Sequence, residues 1–327
     1  MDRPGSGEPG RMSKNDYQSL MSLVDVLVKH CPRLSKIQAP WRLGPLGIEL
    51  PASLFLHNHR MKETLKELTV GYKVMVGSAL QELVLPNLET LILESICVPR
   101  WQSLIGETQS ITPSMSFPKL KHFIVRRCVM SQVLLDTFVK SIRQPLKSMT
   151  VLESRFMQSN GTSRRIPWFD NCKCPEVYGS MEHLSLDCTD GFTGYDHPLA
   201  PLKSLIQLDV RLCGVYHTRQ LFHLPPSIKT LYIHHVRGPI PDSPFDVIWA
   251  LSALLNELPS KKCRVTKIHL AWTFKKQDLV LWGILSAFII GKCKKNGVEF
   301  IVEPYYGEIS SAFDSRVRID IWKFQIP

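Results

Sequence analysis

The 327-residue chain contains no apolar run long enough to cross a membrane. Its longest run, Leu279 to Ile290 (LVLWGILSAFII), has the length of a buried core helix. The opening MDRPGSGEPGRMSKND lacks the apolar centre of a signal peptide and is rich in Gly, Pro and charge. Residues 1–15 are therefore expected to form a disordered tail. Without a leader, the nine scattered cysteines read as reduced thiols of the cytoplasm or nucleus, not as a disulfide framework. The sequon Asn160-Gly161-Thr162 is then simply a surface loop.

Familiar catalytic patterns are missing too. There is no Gly-rich phosphate loop, no nucleophile elbow and no His-Glu-x-x-His pattern. The expectation is a chain with no catalytic residues, no cofactor and no enzymatic activity. Cys172-Lys173-Cys174, with His183 and Cys188 nearby, spaces its thiols too tightly for a structural zinc and has no second pair. His234, His235 and His269 fall on strand faces, where histidine is more often a contact residue than a ligand. No metal is expected.

What is present is enough apolar material for a core. Hydrophobic residues make up 44% and charged residues 21%, close to globular averages, which excludes wholesale disorder. The net charge of +11 permits contact with nucleic acid or another acidic surface, but charge speaks to association and not to fold. Its clusters (Arg126-Arg127, Arg164-Arg165, Lys261-Lys262, Lys275-Lys276, Lys294-Lys295) mostly fall where strands or helices end.

The organising signal is an internal repeat. An apolar residue is followed by two variable residues, a second apolar one, one variable and a third apolar one. The phrase starts at Leu34, Leu65, Leu88, Leu120, Leu146, Met181, Leu205, Ile228 and Val265. Its spacings are 31, 23, 32, 26, 35, 24, 23 and 37 residues. Proline stands two residues ahead of it at Pro32, Pro86, Pro118 and Pro226, restricting the preceding residue to extended backbone. Three residues after the phrase's last apolar residue, Cys128 and Cys213 can hydrogen-bond the turn, and Ser154, Thr189 and Thr273 can do so with a hydroxyl.

In a strand, side chains alternate, so the apolar positions share one face. One such unit cannot bury that face alone, and neighbours must stack. Helices are expected over Asp16–His30, Ser131–Arg143, Ser243–Leu258 and Gln277–Cys293, the second and third beginning with a cap-forming Ser. The long spacings hold insertions at Val98–Ser116, Met157–Gly179 and Arg237–Ser260. A closing strand is read over Gly297–Val302.

The phrases LPNLETLIL, FPKLKHFIVRRC and GKCKKNGVEFIVEP resemble the leucine-rich-repeat region of fungal F-box proteins, with irregular repeats of the ribonuclease-inhibitor kind. The resemblance implies an α/β leucine-rich-repeat solenoid over 16–303, a curved parallel sheet with helices on its convex side, and a C-terminal extension over 304–327. It also implies a protein-interaction scaffold, of the kind that recognises substrates for a ubiquitin ligase. The F-box itself is not found. Its nearest phrase, Glu49-Leu50-Pro51-Ala52, follows the first repeat. Ligase subunits are thus expected partners only of a chain that carries an F-box upstream.

The binding residues should be those between the repeat leucines. The central outward column runs Thr69, Ile92, Ile124, Thr150, Ser185, Asp209, Tyr232, His269. The adjoining one runs Gly71, Glu94, Arg126, Leu152, Asp187, Arg211, His234, Ala271. Arg and Tyr beside exposed Ile and Leu is the composition of interaction hot spots. The expected partner-binding set is Ile92, Ile124, Arg126, Leu152, Asp187, Asp209, Arg211, Tyr232 and His234. The competing expectation, a nucleic-acid or acidic-surface binder acting through the basic clusters, lacks interleaved aromatics and a known module.

Overall fold

A computed structural model describes residues 35–38, 59–70, 84–94, 116–157, 163–164, 175–188, 202–212, 224–235, 244–257, 264–273 and 279–305, with residues 19, 22, 26, 30 and 199. The expected tail, the insertion from Val98 up to but not including Ser116, Cys172–Cys174, Thr189, Cys213 and the extension past Tyr305 lie outside them. In chain order the elements begin with β1 (Lys36–Gln38), α1 (His59–Thr64), β2 (Glu67–Val70), β3 (Thr90–Glu94), β4 (His122–Arg126) and β5 (Val129–Ser131). Next come α2 (Gln132–Lys140), β6 (Ser148–Leu152), β7 (Arg155–Met157), β8 (Ser163–Arg164), α3 (Pro175–Gly179) and β9 (His183–Cys188). The remainder are β10 (Gln207–Leu212), β11 (Thr230–His235), α4 (Pro244–Glu257), β12 (Lys267–Thr273), α5 (Leu279–Lys295) and β13 (Glu299–Tyr305). The chain is of the α/β type. Its contacts divide it into two compact units, Met1–Leu146 with Glu153–Ser163, and Lys147–Leu152 with Arg164–Pro327.

In the first unit β1, β2, β3 and β4 pair in parallel, in that order. The register aligns the centre of each phrase: Ile37 with Leu68, Leu68 with Leu91, Leu91 with Phe123. Leu68, Leu91 and Phe123 are buried, as are the flanking apolar positions Leu65, Leu88, Leu93, Leu120 and Val125. β3 and β4 alternate buried and half-buried residues along their whole length, the pattern of a sheet with one covered face.

The second unit repeats this plan through β6, β9, β10, β11, β12 and β13, again all parallel. Met149, Leu184, Leu208, Leu231, Ile268 and Phe300 are in register, and the first five are buried. Parallel neighbours need a crossover between them, and the sequence between phrases supplies it.

A recurring backbone device locks each strand to the last. The carbonyl at the second phrase position accepts two amides from the next repeat. Lys66 O accepts from Glu89 N and Thr90 N at 2.8 and 2.9 Å, and Glu89 O from Lys121 N and His122 N at 2.9 and 3.0 Å. Lys147, Glu182, Ile206 and Lys229 do the same in the second unit. A tight turn precedes the phrase: Leu85 O accepts from Leu88 N, Phe117 O from Leu120 N, Tyr178 O from Met181 N, Leu202 O from Leu205 N and Pro225 O from Ile228 N. All five of these acceptor residues are buried. The repeat thus holds a fourth core position, three residues before the first apolar one, which the triple alone does not reveal.

The helices follow their local signals. Ser131 Oγ accepts from Leu134 N at 3.1 Å, capping α2, and α4 begins at Pro244. Ser19, Ser22, Val26 and His30, within the expected first helix, are helical and exposed. α5 ends in a Schellman turn: Val298 N donates to Cys293 O at 2.9 Å and Gly297 N to Lys294 O at 3.1 Å, with Gly297 at φ +67°. Among the described residues no helix is long and apolar enough to cross a membrane.

Candidate functional site

The face opposite the core is built by the residues between the apolar positions. In the first unit Thr69, Ile92 and Ile124 lie side by side on β2, β3 and β4, and Glu94 is in register with Arg126. Ile92, Ile124, Glu94 and Arg126 are half-buried. Arg126 Nε is sealed from water yet has no hydrogen-bond partner among the described residues. Thr69 departs from expectation: it is only 2% exposed, and its Oγ1 likewise has no partner among them.

Two turn residues fix the end of this face. Arg127 and Glu153, at the same place in successive repeats, take positive φ of 53° and 51°, and Arg127 Nε lies 3.0 Å from Glu153 Oε2. The turn lets the next residue reach back to the preceding strand. Cys128 Sγ sits 3.4 Å from Leu93 O, and Ser154 Oγ sits 3.5 Å from Val125 O while accepting from Cys128 N at 3.0 Å. These are the roles expected of Cys128 and Ser154.

The same turn corrects one expected binding residue. Leu152, placed outward by strict alternation, is buried at 4% exposure. β6 ends there, and the left-handed backbone at Glu153 interrupts the alternation, so two successive residues, Val151 and Leu152, are covered.

In the second unit Thr150, Ser185, Asp209, Tyr232 and His269 form one column, each in register with the next. His234 Nε2 lies 3.0 Å from Asp209 Oδ1, at ion-pair distance without hydrogen-bond alignment. Tyr232 meets His269 edge to face, with centroids 5.1 Å apart. Arg211 is in register with Asp187 and His234; the side chains of Arg211 and Asp187 are outside the described residues. The side chain that the structure places against Asp209 is thus His234, diagonally across the strands. The signal for His234 was its place two residues beyond Tyr232, since diagonal neighbours are within reach of long side chains.

Several lysines are engaged along the ladders: Lys36 with Glu67 at 2.7 Å, Lys121 with Glu89 at 3.0 Å and Lys267 with Glu299 at 3.4 Å. The hydrogen bond from Lys121, with its charge, holds the Glu89 carboxyl below the ordinary glutamate range. Among the described residues no group of three or more His, Cys, Asp or Glu is placed to hold a metal ion. His269 meets the ring of Tyr232, and His234 is in register with Ala271. Compared with known proteins, the chain matches no family model, no curated protein and no solved structure.

Proposed function

We propose that this chain is a leucine-rich-repeat solenoid of the ribonuclease-inhibitor kind that binds another protein through the outward face of its strands. The observation that carries the reading is the second-unit column. A carboxylate (Asp209), two imidazoles (His234, His269) and a phenol ring (Tyr232) are brought together there by strand register, on the side away from the core. A side chain that stabilises only its own fold has little need of this mixture, whereas interface anchors combine aromatic area with charge. In the first unit, Ile92 and Ile124 offer apolar area beside Arg126, whose buried Nε is suited to a partner's carbonyl or carboxylate.

The resemblance in sequence makes the bound protein a candidate substrate of a ubiquitin ligase. Affinity capture with the full chain tests this, comparing it with Arg211→Ala/Tyr232→Ala. Truncating central anchors costs ~2 kcal/mol or more of binding, while changes at positions facing away from the core usually stay within about 0.5 kcal/mol of stability. The expected result is a captured protein lost from the double variant at an unchanged melting temperature. Capture that persists moves binding off this column. Nucleic acid recovered instead, with a steep fall in binding as salt rises, would favour the acidic-surface reading.

A further inference from the structure

A second surface lies on two helices of the second unit, made of residues other than those of the strand face just discussed. α5 is apolar nearly throughout, and such a helix is normally covered on all sides. Here it is not. Ile284 is 65% exposed and Phe288 54% exposed, and on the helix packed against it, α4, Trp249 is 58% exposed. Beside the Ile284–Phe288 row runs a row without bulk, Gly283, Ala287 and Gly291, all exposed. A Cβ built on Gly283 or Gly291 would meet nothing within 4 Å, so this row is open enough to take added bulk.

A lysine ties the two helices together. Lys292 Nζ donates to Ser252 Oγ and, at 3.2 Å, to Asn256 Oδ1, and it stands 5.2 Å from the centroid of Phe288. Trp249 is one turn before Ser252 on α4, and Phe288 and Ile284 are one and two turns before Lys292 on α5. The apolar groups therefore run back from the lysine along both helices. At the end where Lys292 stands the patch is cationic: Lys294 and Lys295 are exposed in the same last turn of α5.

We propose that α4 and α5 dock an amphipathic helix of another protein, apolar along one side and acidic beside it. The row of small residues is a channel in which the ridge of an approaching helix can lie close, with Ile284, Phe288 and Trp249 as its apolar walls. The lysines select the charge. Their positive field, in a chain of net charge +11, favours carboxylates on the occupant and disfavours a basic one.

The test is a display library of helical peptides with a constant apolar stripe and polar positions drawn from Glu, Gln and Lys, selected on the full chain. The expected outcome is enrichment of Glu over Lys. Selected peptides should bind Ile284→Asp/Phe288→Asp about tenfold or more weaker, as for loss of central anchors. They should also bind Lys294→Gln/Lys295→Gln more weakly and with a flatter salt dependence, a readout that does not rely on changing the apolar wall. Tyr232→Ala should bind them normally, which separates this surface from the strand face. No Glu enrichment, or unchanged binding to the Ile284/Phe288 variant in a folded state, overturns the proposal. So does binding of phosphatidylserine vesicles through these residues with no peptide selected, which would make the patch a lipid-surface site.

Discussion

Ser154 shows how much one small side chain can hold. Its hydroxyl is fully buried, accepts from the Cys128 amide at 3.0 Å and lies 3.5 Å from the Val125 carbonyl. Alanine there leaves two backbone groups away from water without the partner they had. The cost should be about 1–3 kcal/mol, read as a lower denaturant midpoint at unchanged m-value. Cysteine, which serves at the equivalent position 128, should lose less. Cys293 offers a pH-dependent counterpart. Burial pushes its thiol up to about 11 from an ordinary 9.0, so between those values only the unfolded chain sheds the proton. Stability linked to this group is therefore full below pH 9 and declines as pH rises toward 11. The stability of the wild type relative to Cys293→Ala should fall across that window; a constant difference would show that the thiol is not protected by the fold.

At the scale of elements, the strands were the most legible part of the chain. A triple of apolar residues with alternating neighbours has one good solution, a strand with one covered face, and every described strand of the two ladders up to β12 begins two residues after a phrase start. Helix starts were legible where chemistry marks them, at Ser131 and Pro244. Three things were not. The buried residue three places before each phrase varies among Leu, Phe, Tyr and Pro, so it shares burial but no letter. The left-handed turn at Arg127 and Glu153 uses residues that carry no local signal for positive φ, and for that reason strict alternation places Leu152 on the wrong face. The pairing of Asp209 with His234 depends on register, which spacing within one strand cannot supply.

The end of α5 gives an element-scale prediction. Gly297 has room for a Cβ but stands at φ +67°, so the penalty for alanine is conformational and not steric. Gly297→Ala should destabilise by about 1 kcal/mol, the left-handed penalty less the gain from a stiffer unfolded chain. Gly283→Ala, within the helix and equally uncrowded, should instead stabilise by up to about 1 kcal/mol. Thermal or denaturant unfolding of the pair reads both signs. Equal effects would mean that the turn after α5 is not the one described.

For the molecule as a whole, the account rests on one idea: a repeated phrase stacks strands in strict register, and the register assembles the outward face. The proposed protein binding, the place of Tyr232 beside Asp209 and the separation of core from surface all depend on it. Paired spin labels on the second-unit column measure it directly, because Thr150 is three strand steps from Tyr232 and four from His269. At ~4.8 Å per step, the account predicts mean separations of about 14 Å and about 19 Å, each broadened by the label linkers. The second must exceed the first by about one strand spacing. Distances that do not grow in this order, or a pair lying tens of ångströms apart, would contradict the stacked register and, with it, the proposed binding face.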